Sequence, residues 1–85
     1  MDEKIYNNTL LFLKFTATEL LIPFDKISLN DEFRGLSTWS SLNALVYISR
    51  INEETNVLIS SLELADLKTL NDIYNLISSK SNGAI

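Results

Sequence analysis

Residues 23–45, PFDKISLNDEFRGLSTWSSLNAL, decide the fold of this chain. Pro23 is expected to end a first helix, because the residue before a proline avoids helical geometry. Residues 23–39 are rich in Asp, Asn, Ser and Gly, which predicts a long loop. The loop also carries six large apolar side chains, at Phe24, Ile27, Leu29, Phe33, Leu36 and Trp39. These side chains indicate that the loop lies on the core, and long ordered loops of this kind are often functional.

Helical patterns flank the loop on both sides. A first helix is predicted from about Glu3 to Ile22, because its apolar residues recur at helical spacing. The face that we expect to be buried comprises Ile5, Phe12, Phe15 and Leu20, with Thr16 between them. A second helix is predicted from Ser40 or Ser41 to about Glu54. The apolar stripe of this helix contains Leu42, Leu45, Ile48 and Ile51 and is widened by Val46 and Tyr47.

Two further helices are predicted near the C-terminus. Ser60 or Ser61 can cap a short turn over residues 62–66. Thr69, with Asp72 three residues on, is expected to cap a last helix that frays from Ser78. The prediction is therefore an all-α bundle with three main helices, one short helix and a long first loop. It forms a single domain over residues 1–85, with a core of about residues 3–78 and a flexible tail at 79–85.

Composition excludes several functional classes. The chain has 85 residues and a formal net charge of -4, which disfavours nucleic acid as a partner. It contains no cysteine and no histidine, so it lacks a thiolate nucleophile, the usual general base and the usual zinc ligands. We therefore expect neither autonomous catalysis nor a metal site. No signal peptide or membrane-spanning segment is evident, so the expected location is the cytoplasm.

The start of the second predicted helix carries the most informative pattern. Residues 35–45 place serine hydroxyls where a structured loop meets a helix N-terminus. Free amide donors and the positive end of the helix dipole stabilise a phosphate at such a position. Taken alone, Ser41 has a plain alternative interpretation as an N-cap serine.

The chain resembles the acyl carrier protein family, including the peptidyl carriers. The family carries Asp-Ser-Leu at the start of its second helix, and the matching tripeptide is Ser40-Ser41-Leu42, preceded by Trp39 as in many stand-alone carriers. The residues at 27–34, 51–59 and 67–77 are similar to the family's loop, the end of its second helix and its last helix. The resemblance covers roughly residues 5–77. It implies an acyl-carrier-protein-like bundle in which Ser41 carries 4'-phosphopantetheine, and Ser40 is the next candidate for attachment.

The chain departs from the family pattern at two places. Ser40 replaces the aspartate that precedes the modified serine, which removes a charge that helps the transferase to recognise the site. The second helix is also poor in acidic residues, since it carries only Glu53 and Glu54, and Val46 stands where many members have Glu. Docking is therefore expected to depend more on apolar contacts. The candidate partner-binding residues are Trp39, Ser40, Leu42, Val46, Tyr47, Glu53 and Glu54.

The resemblance implies a monomeric, discrete carrier that holds an acyl, ketide or aminoacyl group as a thioester. Its partners would be a phosphopantetheinyl transferase and acyl-loading and condensing enzymes with basic or apolar docking surfaces. An attached chain could be sheltered in a cleft lined by Phe33, Leu45, Ile51, Ile59 and Leu67. The alternative is a carrier-like helical scaffold or regulatory subunit that is never pantetheinylated.

Overall fold

The structure, a computed structural model, describes residues 4–83. The chain is a compact all-α domain of four helices: α1 (Thr9–Glu19), α2 (Ser41–Thr55), α3 (Ser61–Ala65) and α4 (Leu70–Gly83). Two single turns of tighter 3-10 helix lie in the loop between α1 and α2, at Phe24–Lys26 and Phe33–Gly35. Within residues 4–83 there is no strand, only one isolated antiparallel bridge between Glu32 and Thr69. The prediction of three main helices and one short helix is confirmed.

The first helix is shorter than predicted at both ends. It begins at Thr9, because Asn8 is extended and its side chain accepts a hydrogen bond from the backbone amide of Leu11. It ends at Glu19, before the proline is reached. The amide of Ile22 donates to the Ala17 carbonyl over 2.9 Å, and the amide of Leu21 donates to Thr18 over 3.4 Å. These two bonds form a Schellman motif, so α1 is ended by a left-handed turn at Leu21 and not by Pro23.

The left-handed turn gives the first prediction on stability. Leu21 has a φ of 57° and is 81% exposed, so its side chain adds strain and little burial. Leu21→Gly is expected to stabilise the protein by about 0.5–1 kcal/mol, as measured by urea unfolding. Asn56 has a φ of 60° at the end of α2 and is the matched control, because asparagine tolerates this conformation. Asn56→Gly should give a smaller gain, and an equal or larger gain would contradict the assignment of strain to Leu21.

The apolar stripe of α2 is divided between the core and the surface. Ala44, Tyr47 and Ile51 are buried, at a helical spacing of three and four residues. Leu42, Leu45 and Val46 are exposed by 70%, 64% and 47%. The apolar stripe therefore does not form one buried face, because steps of three residues drift around a helix that has 3.6 residues per turn.

The loop between α1 and α2 is bound to the α3–α4 junction. The Arg34 guanidinium donates to the carbonyls of Leu64 and Leu67 over 2.7 and 2.6 Å. Backbone bonds add to this link, including the amide of Phe33 to the Lys68 carbonyl over 3.1 Å and the amide of Leu70 to the Asp31 carbonyl over 3.0 Å. Five of the six apolar loop residues pack into or against the core, and only Phe24 is exposed. The expectation of an ordered loop on the core is thus confirmed, with Phe24 as the exception.

Helix α4 extends further toward the C-terminus than the predicted fraying from Ser78. Helix α3 begins after Ser60, which forms a capping box with Glu63, and α4 extends to Gly83. The Ser78 hydroxyl donates to the Tyr6 carbonyl, and the Lys80 ammonium pairs with Glu63 at 2.6 Å. Residues 79–83 of the predicted flexible tail are therefore helical, and residues 84–85 lie outside the described range. No helix in the described part of the chain has the length and apolar character to cross a bilayer.

The cap of α4 gives a prediction on pH dependence. The Asp72 carboxylate accepts hydrogen bonds from the backbone amides of Thr69 and Lys68, which lower the pKa of this carboxyl below its usual value. The Asp72 carboxylate therefore stabilises the folded protein fully above about pH 4, the ordinary pKa of a carboxyl in the unfolded chain. This stabilisation is lost as the pH falls through the lower pKa that Asp72 has in the folded protein. When the free energy of unfolding is plotted against pH, Asp72→Asn should reduce the slope of the plot on its acid side, which we call the acid limb. An acid limb as steep in Asp72→Asn as in the wild-type protein would contradict this role of Asp72.

Candidate functional site

The start of α2 separates the two serines of the motif. Ser40 is the N-cap: it is extended, and its hydroxyl accepts a hydrogen bond from the Asn43 amide over 3.1 Å. Ser41 is the first residue of the helix and is exposed. The interpretation of Ser41 as a capping serine is therefore wrong, because its neighbour supplies the cap. The Ser41 hydroxyl lies at the positive end of the helix dipole and is not needed to hold the helix start.

The turn before α2 is held by the helix itself. The Asn43 side-chain amide donates to the Thr38 carbonyl over 2.6 Å, and the Trp39 amide donates to the Leu36 carbonyl over 3.0 Å. The Thr38 hydroxyl is enclosed, and no hydrogen-bond partner for it lies among the described residues, so Thr38 does not act as the cap. Trp39 is half-buried, with its ring 4.8 Å from that of Phe33 and 6.2 Å from that of Tyr47. These contacts fix the position of Ser41 relative to the core.

An exposed apolar stripe lies beside Ser41. It consists of Leu42, Leu45 and Val46, and Leu45 is one helical turn beyond Ser41 on the same face. Two predicted partner-binding residues, Leu42 and Val46, are therefore accessible at the surface. Leu45 was expected in an inner cleft and lies here instead. The spacing of Leu42 and Leu45 could have indicated a shared face, but not whether that face was the inner or the outer one.

Tyr47 does not belong to this surface. Its side chain is 1% exposed, so it cannot contact a partner as predicted. The Tyr47 phenol lies 2.7 Å from the Thr16 hydroxyl, and Thr16 is also fully buried. Burial raises the pKa of Tyr47 far above its usual range and outweighs the hydrogen bond to Thr16, which acts in the opposite direction. Tyr47 is therefore a core residue whose phenol is neutral at physiological pH.

The acidic end of α2 is an ion-pair cluster. Arg50 contacts the carboxylate of Glu53, that of Glu19 at 3.3 Å and that of Glu54 at 3.8 Å. The hydrogen bonds to Glu53 and Glu19 raise the pKa of the Arg50 guanidinium. Glu53 and Glu54 are exposed, as a partner-binding role would require. However, Arg50 offsets part of their charge, so they offer less attraction to a basic surface than two unpaired carboxylates would.

The residues predicted to line a cargo cleft divide into two groups. Phe33, Ile51 and Ile59 are buried in the core, and Leu67 is half-buried against it. Leu45 is exposed on the opposite side of α2 and cannot line a cleft with them.

The described residues contain no group of three or more Asp or Glu side chains placed to hold a metal ion. The searches with the whole chain against protein-family models, curated proteins and solved structures found no match.

Proposed function

We propose that this chain is a discrete acyl carrier protein with an acyl-carrier-protein-like bundle, whose Ser41 carries a 4'-phosphopantetheine arm. The observation that supports this most is the separation of roles at the start of α2, where Ser40 caps the helix and Ser41 is exposed. A phosphodiester on Ser41 would lie beside unpaired amides at the positive helix end, which favours a negative charge. The pattern Trp39-Ser40-Ser41-Leu42, in register with the resembling segments, supports the same position.

In the proposed modification, the Ser41 hydroxyl oxygen attacks the phosphorus of coenzyme A that bears the pantetheine. A phosphodiester forms at Ser41, the pyrophosphate bond breaks, and adenosine 3',5'-bisphosphate leaves. The chain has no histidine to accept the serine proton, so a base on a separate transferase must accept it. When bound, the arm supplies a terminal thiol that holds an acyl group as a thioester, while partner enzymes perform the chemistry.

The proposed partners are a phosphopantetheinyl transferase in the cytoplasm and enzymes that load or condense the acyl group. The stripe of Leu42, Leu45 and Val46 beside Ser41 favours partners with an apolar docking surface. The pairing of Arg50 with Glu53 and Glu54 makes strongly basic partners less favoured. This assignment agrees with the sequence, which is poor in acidic residues along α2.

The proposal is tested by incubating the folded protein with coenzyme A and several phosphopantetheinyl transferases. We expect the intact mass to rise by one phosphopantetheine. Because the chain has no cysteine, titration should then detect one free thiol per chain where the unmodified protein gives none. No mass gain with any transferase, from protein that is folded by circular dichroism, would favour an unmodified scaffold and contradict the proposal.

A further inference from the structure

We infer that the interior of this protein does not accept the acyl cargo and that Tyr47 is the residue that excludes it. The cargo is then a short or polar acyl group held at the surface. This inference rests on the proposed attachment at Ser41. It differs from the sheltering cleft that the sequence resemblance implies.

The first observation is that aromatic rings fill the space inward of α2. Phe33, Trp39, Tyr47 and Phe15 form a continuous series, which we call the aromatic column. Its ring centroids are separated by 4.8 Å between Phe33 and Trp39, 6.2 Å between Trp39 and Tyr47, and 5.9 Å between Tyr47 and Phe15. The column connects the loop before α2 with α1, and two of its members, Phe33 and Tyr47, belong to the buried core. An acyl chain that entered the core beneath α2 would have to displace these rings.

The second observation is that the column is fixed by a buried polar contact. The Tyr47 phenol and the Thr16 hydroxyl lie 2.7 Å apart, and both side chains are almost completely excluded from solvent. An apolar chain that displaced Tyr47 would leave the buried Thr16 hydroxyl without its partner in an apolar interior, which is unfavourable. Displacement of an aliphatic residue from position 47 would break no hydrogen bond. We therefore assign the exclusion of the acyl chain to Tyr47.

The third observation concerns the surface. Two grooves run along α1: one of about 380 Å³ is lined by Lys14, Ala17, Thr18, Ile22 and Phe24, and one of about 300 Å³ by Lys4, Ile5, Leu11, Phe15 and Glu54. No residue from the turn before α2 or from its first half lines either groove. Beside Ser41 lies the exposed stripe of Leu42, Leu45 and Val46. A long apolar chain on this open stripe would keep much of its surface in water, so a short or polar group is the better cargo.

A chemical tether tests the inference without a transferase. The chain lacks cysteine, so Ser41→Cys creates a single thiol that can be alkylated by an iodoacetamide with a spacer of pantetheine length. The spacer ends in an acetyl or a dodecanoyl group. The chain has one tryptophan, Trp39, and its emission reports directly on the aromatic column. Thermal unfolding and the methyl NMR signals of Ile51 and Ile59 report on the core.

We expect the acetyl and dodecanoyl adducts to show the same Tm, the same Trp39 emission and the same Ile51 and Ile59 signals. In a Tyr47→Ala background, the dodecanoyl adduct should have a higher Tm than the acetyl adduct, because the chain then fills the space left by the ring. Tyr47→Leu gives the same comparison with a smaller cavity if Tyr47→Ala does not fold.

A higher Tm or shifted core signals for the dodecanoyl adduct with Tyr47 in place would overturn the inference. Equal Tm values in the folded Tyr47 variant would overturn the assignment to Tyr47. A wild-type protein that no transferase modifies is a separate result, which bears on the proposed function alone.

Discussion

Ser41→Ala is expected to abolish phosphopantetheine incorporation completely, with no loss of fold. Alanine is a good residue in the first turn of a helix, and the Ser41 side chain is exposed, so α2 should be unaffected. Intact mass after incubation with coenzyme A and the transferase should therefore equal the unmodified mass. Circular dichroism should match that of the wild-type protein.

Ser40→Ala is the matched control for this experiment. It removes the hydroxyl that accepts the Asn43 amide, so it should destabilise the protein by about 1 kcal/mol. It retains Ser41, and we expect it still to gain one phosphopantetheine. Incorporation in Ser41→Ala, or its loss in Ser40→Ala alone, would show that the attachment site has been placed on the wrong residue.

The second large effect is expected at Tyr47. Tyr47→Ala removes a ring that is 1% exposed and should destabilise the protein by about 3–5 kcal/mol, a large part of the stability of a small domain. Tyr47→Phe keeps the ring and removes only the hydroxyl. It leaves the buried Thr16 hydroxyl without its partner and should cost about 1–3 kcal/mol.

A double-mutant cycle separates the hydrogen bond from the ring. Thr16→Val leaves the Tyr47 phenol unpaired and should also cost about 1–3 kcal/mol. The double variant Thr16→Val/Tyr47→Phe removes both polar groups, so its loss should be clearly smaller than the sum of the two single losses. Additive losses, measured by urea unfolding, would mean that the two hydroxyl groups do not interact in the folded protein.

The sequence predicted the element types and most helix starts, because these depend on local chemistry. Ser60 and Thr69 each open a short polar pattern that recurs at helix N-termini, and each lies at the start of a helix in the structure. The early end of α1 was missed, because leucine rarely adopts the left-handed conformation that Leu21 has. The extension of α4 to Gly83 was missed, because its contacts with Tyr6 and Glu63 are distant in sequence.

The candidate site was predicted in part for a similar reason. The serine pair and its position at a helix start were recognisable in the sequence, but local pattern could not decide which serine caps α2. Leu42, Leu45 and Tyr47 all carry large side chains, and their inward or outward direction depends on how α2 is rotated against α1 and the loop. That rotation is set by the packing of Tyr47 against Phe15, Thr16 and Trp39. It is a tertiary property that the spacing of apolar residues in one helix does not determine.

The most direct test of the central claim is to locate the modification within the wild-type chain. After incubation with coenzyme A and a transferase, proteolysis and fragmentation by tandem mass spectrometry should place one phosphopantetheine on the peptide that contains Trp39-Ser40-Ser41-Leu42. We expect the fragment ions to assign the added mass to Ser41. Assignment to Ser40, to another serine, or to no residue of the folded protein would contradict it.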